Sequence, residues 1–170
     1  QINQEHSLFG RFINARRDSP TDYDGKNPLT VTITDLHQRA YSFVLGETFL
    51  INANTVNSFR GAVLLTENPK PPPVVFTFAD IGVKNIWTPQ PIVRFSMTGG
   101  GFNITQSDTV KHKYNSTIWQ LSDDLSLVRG THQIGAGVSY VHSMMNGYAG
   151  INEPGNFAFN STNTGLVLGD

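Results

Sequence analysis

Between Asn115 and Tyr148 apolar and polar side chains alternate with a period of two, broken by a tight turn at Arg129-Gly130-Thr131. In the second arm Ile134, Ala136, Val138 and Tyr140 point one way, and Gln133, Gly135, Gly137 and Ser139 point the other. Such a period marks a strand with two different environments. Both arms look about a dozen residues long, whereas a globular strand usually has about five or six. Length, alternation and short turns that alternate with long connections are the pattern of a transmembrane β-barrel.

The same rhythm recurs upstream. Ser7 to Asn14 predicts a strand, and the polar stretch Arg16 to Asn27 predicts a loop. Leu29 to Thr34 alternates and predicts either a strand extension or structure folded within that loop. Arg39 to Ile51, with Tyr41, Phe43, Leu45 and Phe49 on one side, pairs through Asn52-Ala53-Asn54-Thr55 with a return arm from Asn57 to Thr66. Glu47 interrupts the apolar side near its turn, which is tolerable at a membrane boundary and costly at the bilayer centre. Glu67 to Lys111 is far longer than a usual loop of about five residues, so it is expected to be functional or to carry structure of its own. Ile92 to Met97 and Asn156 to Asn160 predict short strands. Helical periodicity is absent, so the fold class is all-β: an antiparallel up-and-down transmembrane barrel segment of about five or six strands.

Composition supports this reading. Only 15% of the 170 residues are charged and 38% are hydrophobic, against roughly 25% charged in an ordinary soluble domain. A net charge of −1 leaves no basic stripe for a phosphate backbone, so nucleic acid is excluded as a partner. There are no cysteines, which removes disulfides and thiolate metal sites. No apolar run approaches the ~18 residues of a spanning helix. The chain opens in mid-phrase at Gln1 and closes on Leu166 to Asp170 as if approaching another strand. Both ends are therefore expected to be cuts in a larger protein.

Four places resemble a known family, the large TonB-dependent outer-membrane receptors of the Oar-like type. Ser7-Leu8-Phe9-Gly10-Arg11-Phe12 is similar to the strand after the family's Arg-Leu-Phe-Gly-Arg-Tyr phrase. Leu50 to Arg60 resembles its Asn-Leu-Val-Asn-Glu-Phe-Arg turn. Trp119 to His132 resembles its Asp-Asn-Leu-Thr-Trp-Val-Arg-Gly-Lys-His hairpin, with Leu127 standing where the family has Trp. Phe157 to Gly169 is similar to its closing phrase. The resemblance covers most of the chain in order. It implies a 22-stranded barrel closed by a plug, of which residues 1–170 would supply a partial barrel domain, with the plug, the TonB box and any amino-terminal regulatory domain absent. It also implies a bacterial outer-membrane location, with outer-membrane lipid, the remainder of the barrel and plug, the TonB energy-coupling complex and an unknown extracellular solute as partners. No cofactor is implied.

Candidate chemistry is sparse. Asp22-Tyr23-Asp24-Gly25 has the look of a calcium loop, but aligning Gly25 with the invariant glycine puts Pro20 and Val31 at ligand positions, so an EF-hand fails. A polar turn is expected, with a loose calcium site left open. Asp123 and Asp124 are adjacent on a strand and face opposite sides, so they cannot act together as acid and base. His132 and His142 share a side but are roughly 33 Å apart, too far to share a metal. His6, His37 and His112 lie in polar segments and are expected in solvated loops. Gly99-Gly100-Gly101 lacks the context of a phosphate loop. Asn103, Asn115 and Asn160 begin glycosylation-type triplets, which occur by chance in such chains. Tyr41, Trp119, Tyr140 and Tyr148 are candidates for the aromatic girdles at the two membrane surfaces.

The expected function is therefore a share in solute import across the outer membrane, through barrel wall and solute-facing loops. Those loops are Glu67 to Lys111 and Met145 to Asp170. No catalytic, metal or cofactor-binding residue is assigned, no enzyme activity is expected, and substrate-binding residues stay unknown. The alternative is a soluble secreted β-sandwich that binds a ligand such as carbohydrate through exposed aromatics like Trp87. Strand length separates the two, since sandwich strands run near six residues. A hydrolase would need a nucleophile, base and orienter, and the sequence offers no such set.

Overall fold

Backbone pairing reaches well beyond the alternating stretches. The computed structural model describes residues 4–88, 90–97, 103–104, 111–155, 157–159 and 165. Five long strands dominate: β1 (His6–Ser19), β2 (Leu36–Asn52), β3 (Thr55–Lys70), β6 (His112–Arg129) and β7 (His132–Ala149), with the short β4 (Phe95–Met97), β5 (Asn103–Ile104) and β8 (Phe157–Phe159) between and after them. The long strands have 14 to 18 residues where the sequence predicts eight to thirteen. Arg16 to Ser19, predicted as loop, completes β1, and β3 continues through Pro69, a residue tolerated near a strand end. Ladder hydrogen bonds need only backbone, so they persist where the side-chain pattern has stopped.

The long strands form one sheet in the order β1-β2-β3-β6-β7, an up-and-down meander that is open at β1 and β7. The β2–β3 register runs from Arg39↔Glu67 to Asn52↔Thr55, with an irregularity between Leu50 and Asn52 beside the Ala53-Asn54 turn. The Asn52 side chain accepts the Asn54 amide at 2.9 Å, which pins that turn locally. The β6–β7 turn places Gly130 at φ 62°, as a two-residue hairpin with glycine first requires. The Leu50 amide donates to the Glu5 carbonyl and the Val128 amide to the Asn54 carbonyl, each at 2.8 Å, which fixes β1 on β2 and β6 on β3 as antiparallel neighbours.

The chain divides into two compact units. One, the sheet unit, gathers residues 1–16, 39–67 and 115–146; the other, the loop unit, gathers 17–38, 68–114 and 147–170. The loop unit confirms that Glu67 to Lys111 carries structure of its own. Its buried residues include Val31, Phe78, Ile92, Val93 and Pro154. Phe78 packs edge-on against Phe157 at 4.5 Å and Phe95 at 5.7 Å. Strand β4 pairs in parallel with β8 through Phe95↔Phe157 and antiparallel with β5 through Phe95↔Ile104. Thus only Phe95–Met97 of the predicted Ile92–Met97 strand is one, while Ile92 and Val93 plug the core. Leu29 to Thr34 is no strand either. The Asn27 side chain accepts the Leu29 amide and Pro28 opens a 3₁₀ turn over Pro28–Thr30, after which Val31 and Thr34 are buried.

Candidate functional site

The sheet unit has two unlike faces. By the β2–β3 register Tyr41, Phe43, Leu45 and Glu47 lie opposite Leu65, Val63, Gly61 and Phe59. Phe12 packs on Phe43 with ring centroids 4.8 Å apart, extending the face across β1. Leu121 lies against Gly61 and extends it across β6. Leu45 is 57% exposed and Phe43 48%, so large side chains at the centre of a five-stranded sheet meet no protein cover. Phe12, Phe43, Phe59, Trp119 and Leu121 surround a shallow groove of about 680 Å³ whose floor includes Gly10 and Gly61. A continuous apolar face of this kind marks a surface that something other than water covers.

Polar groups bound this face at both ends, and those toward the short-turn end are paired. Glu47 meets the His6 ring nitrogen at 2.7 Å, and His6 stacks on Phe49 at 4.2 Å. Asp123 accepts from the Asn57 amide at 2.7 Å. From Glu47 to Arg39, at the other limit of the apolar stretch, is eight residues, about 27 Å along a strand. At the 35–45° tilt of barrel strands that spans about 20 Å of height, a little under an apolar band about 25 Å tall.

The opposite face mixes small and polar groups with scattered apolar ones such as Val44, Val56 and Phe9. Ser58, Arg60, Gln120, Ser122 and Asp124 border its shallow depressions, with Gly135 and Gly137 beside them. The glycines here make room for neighbours: a Cβ on Gly46 would collide with the Phe9 ring, and one on Gly137 with the Asp124 carboxylate. Asp123 and Asp124 therefore diverge as their adjacency predicts, one to each face.

In the loop unit the organising polar residue is Gln90, which is 3% exposed. Its carbonyl accepts the Lys111 amide at 3.0 Å, and its amide donates to the Gly150 carbonyl at 3.3 Å and to the Glu153 carboxylate. The Tyr148 hydroxyl donates to the other Glu153 oxygen, and the Lys111 ammonium lies 5.7 Å from the Tyr148 ring centre. The hydrogen bonds from Tyr148 and then Gln90 hold the Glu153 carboxyl below its ordinary value. Arg94 donates to the Ile151 carbonyl at 3.3 Å. One buried amide thus ties three stretches of chain together. No local pattern singles out Gln90, because a lone glutamine among prolines reads as loop.

The acidic loop residues act as turn anchors. Slight desolvation pushes the Asp22 carboxyl up, but the Thr32 hydroxyl, the Thr32 amide and the Ile33 amide outweigh it and leave it low. The Asn27 and Lys26 amides, at 2.7 and 2.8 Å, hold the Asp24 carboxyl below its ordinary value. Oxygens engaged with backbone amides suit the polar-turn reading over a calcium loop. Among the described residues no group of three His, Asp or Glu is placed to hold a metal. The Gly99 to Gly101 stretch, and Thr105 and Asn160 to Thr162 of the glycosylation-type triplets, lie outside the described residues.

Comparison with protein families matches residues 1–168 to the outer membrane beta barrel domain. The chain belongs to that family. No curated protein and no solved structure matches it. The barrel domain is thus a bacterial outer-membrane protein, all-β and antiparallel, and lipid is the medium against its apolar face.

Membership gives the remaining residues their places. Strands of 14 to 18 residues in a single sheet exceed the roughly six of a sandwich, which sets the secreted module aside. In the barrel domain Trp119 shares the groove with Phe43 and Val63, a mid-face pair of β2 and β3, which places it away from the girdle expected for it. Tyr148, near the end of β7, donates its hydroxyl to Glu153 in the loop unit. Tyr140 stacks with His142 two residues on, with centroids 6.4 Å apart. His6, expected in a solvated loop, lies instead in β1 against Glu47. His37 opens β2 as its second residue and meets Asp18 at 2.8 Å. His112 begins β6, near Tyr114.

Proposed function

We propose that the barrel domain is part of a TonB-dependent receptor of the Oar-like type that imports a scarce extracellular solute. The observation that carries this reading is the pairing of a lipid-facing wall with long connections that fold into a cored unit of their own. In barrels of the outer membrane short turns face the periplasm and long loops face outside. By that rule the connections after β1, β3 and β7 are extracellular, and they are the elements that would meet solute. A passive wall has no need of a buried Gln90 latch or of the Phe78-Phe95-Phe157 cluster. The rest of the barrel, the plug and the TonB complex complete the machine in this proposal. The chemistry is binding and translocation, with no covalent step.

The test is direct. The intact protein, purified from outer membranes in mild detergent, is titrated by calorimetry with the periplasmic domain of TonB from the same bacterium. Binding in the micromolar range supports an energy-coupled receptor. Absence of binding at concentrations that saturate a known receptor would remove the transport reading and leave an uncoupled barrel.

A further inference from the structure

The groove on the lipid face contains two glycines that the fold itself does not require. Neither Gly10 nor Gly61 has the left-handed φ that favours glycine, and a Cβ there would meet its nearest atom at 4.0 and 3.4 Å, ordinary contact distances. Gly46 and Gly137 differ, since a neighbouring side chain fills the space above each. Glycine within a strand weakens it and often marks a close approach by a ligand or another chain. Gly10 and Gly61 flank Leu45 in mid-sheet, and what they keep open is the groove of about 680 Å³ walled by Phe12, Phe43, Phe59 and Trp119.

We propose that this groove seats one acyl chain of an amine-headed phospholipid of the periplasmic leaflet. The face lies against outer-membrane lipid by family, so an acyl chain is the material at hand. The leaflet follows from position. Leu45 is two residues from Glu47 on the short-turn side and six from Arg39 on the other, about 7 and 20 Å along the strand. The headgroup follows from charge. Glu47 pairs with Phe59 across the strands, and Asp123 borders Phe59 in an adjoining depression. Two carboxylates thus stand at the mouth of the groove, and Asp123, bonded to the neutral Asn57 amide, offers its charge to a lipid ammonium. This site does not depend on the transport reading.

The test is native mass spectrometry of the intact protein, first extracted in mild detergent and then reconstituted in nanodiscs of equal phosphatidylethanolamine and phosphatidylglycerol. The wild type is expected to retain one phosphatidylethanolamine. Gly10→Ala combined with Gly61→Ala should lower the retained fraction about tenfold while the melting temperature holds or rises. Asp123→Asn should keep a bound lipid but lose the preference for the amine headgroup. If the double variant melts earlier, the two single variants replace it, each expected to lose part of the lipid at unchanged melting temperature. Retention that is indifferent to the alanines, or no lipid above the detergent background, overturns the proposal. So does a wild-type dimer that the alanines dissociate, because a second copy would then be the occupant.

Discussion

Replacing Phe43 with arginine tests whether the apolar face lies in lipid. Phe43 is four residues from Glu47 and four from Arg39, about 14 Å along the strand from each polar limit, and so sits near the midplane. A charged side chain on the lipid face there costs roughly 2–4 kcal/mol. The substitution also removes the ring contact with Phe12 at 4.8 Å, worth about 0.5–1.5 kcal/mol. Phe43→Leu loses that ring pair without adding charge, so the Arg-minus-Leu difference isolates the bilayer term. That difference is a folding equilibrium changed by roughly 30- to 700-fold. Gln120→Arg is the second control, placed on the polar face beside Arg60 and Ser122, where charge meets water and costs little. The assay is reversible urea unfolding of the intact protein in phospholipid vesicles, followed by tryptophan fluorescence. In a soluble protein a side chain 48% exposed would tolerate arginine within about 0.5 kcal/mol. Equal midpoints for Phe43→Arg, Phe43→Leu and Gln120→Arg would therefore refute the lipid assignment of this face.

Three further outcomes are expected. Gln90→Leu strips the buried contacts to Lys111, Gly150 and Glu153; at about 1–3 kcal/mol for an unsatisfied group, exchange of the Lys111 amide should quicken by roughly 5- to 150-fold while sheet amides stay protected. The Asp24 carboxyl is depressed by the Asn27 and Lys26 amides, so its contribution is complete above the ordinary carboxylate value of about 3.9 and is lost as pH falls through the lower folded value; pepsin cleavage near residues 20–35 should rise over that acid range in the wild type, and Asp24→Asn should flatten the rise. Gly130→Ala forces a side chain onto φ 62° and should lower stability by about 1 kcal/mol in the same urea assay, whereas Gly135→Ala, with open space at its Cβ, should not.

Strand identity and facing were determined by the sequence, because a period of two is a local property of side chains and each hairpin turn carries its own chemistry. Ile134 to Tyr140 against Gln133 to Ser139, the Gly130 turn and the divergence of Asp123 from Asp124 could all be read from single positions. Strand length was not, since Arg16 to Ser19 and Asn68 to Lys70 are held by backbone pairing with neighbours that no local pattern names. The same limit hid Gln90, His6 with Glu47, and the aromatic cluster of Phe78, Phe95 and Phe157. Each depends on residues far apart along the chain, from 17 to 79 positions, arriving together. The place of Trp119 in mid-face, and the groove that Gly10 and Gly61 leave open, likewise rest on register across strands. Register is set by how the strands pair, so only the tertiary structure decides it.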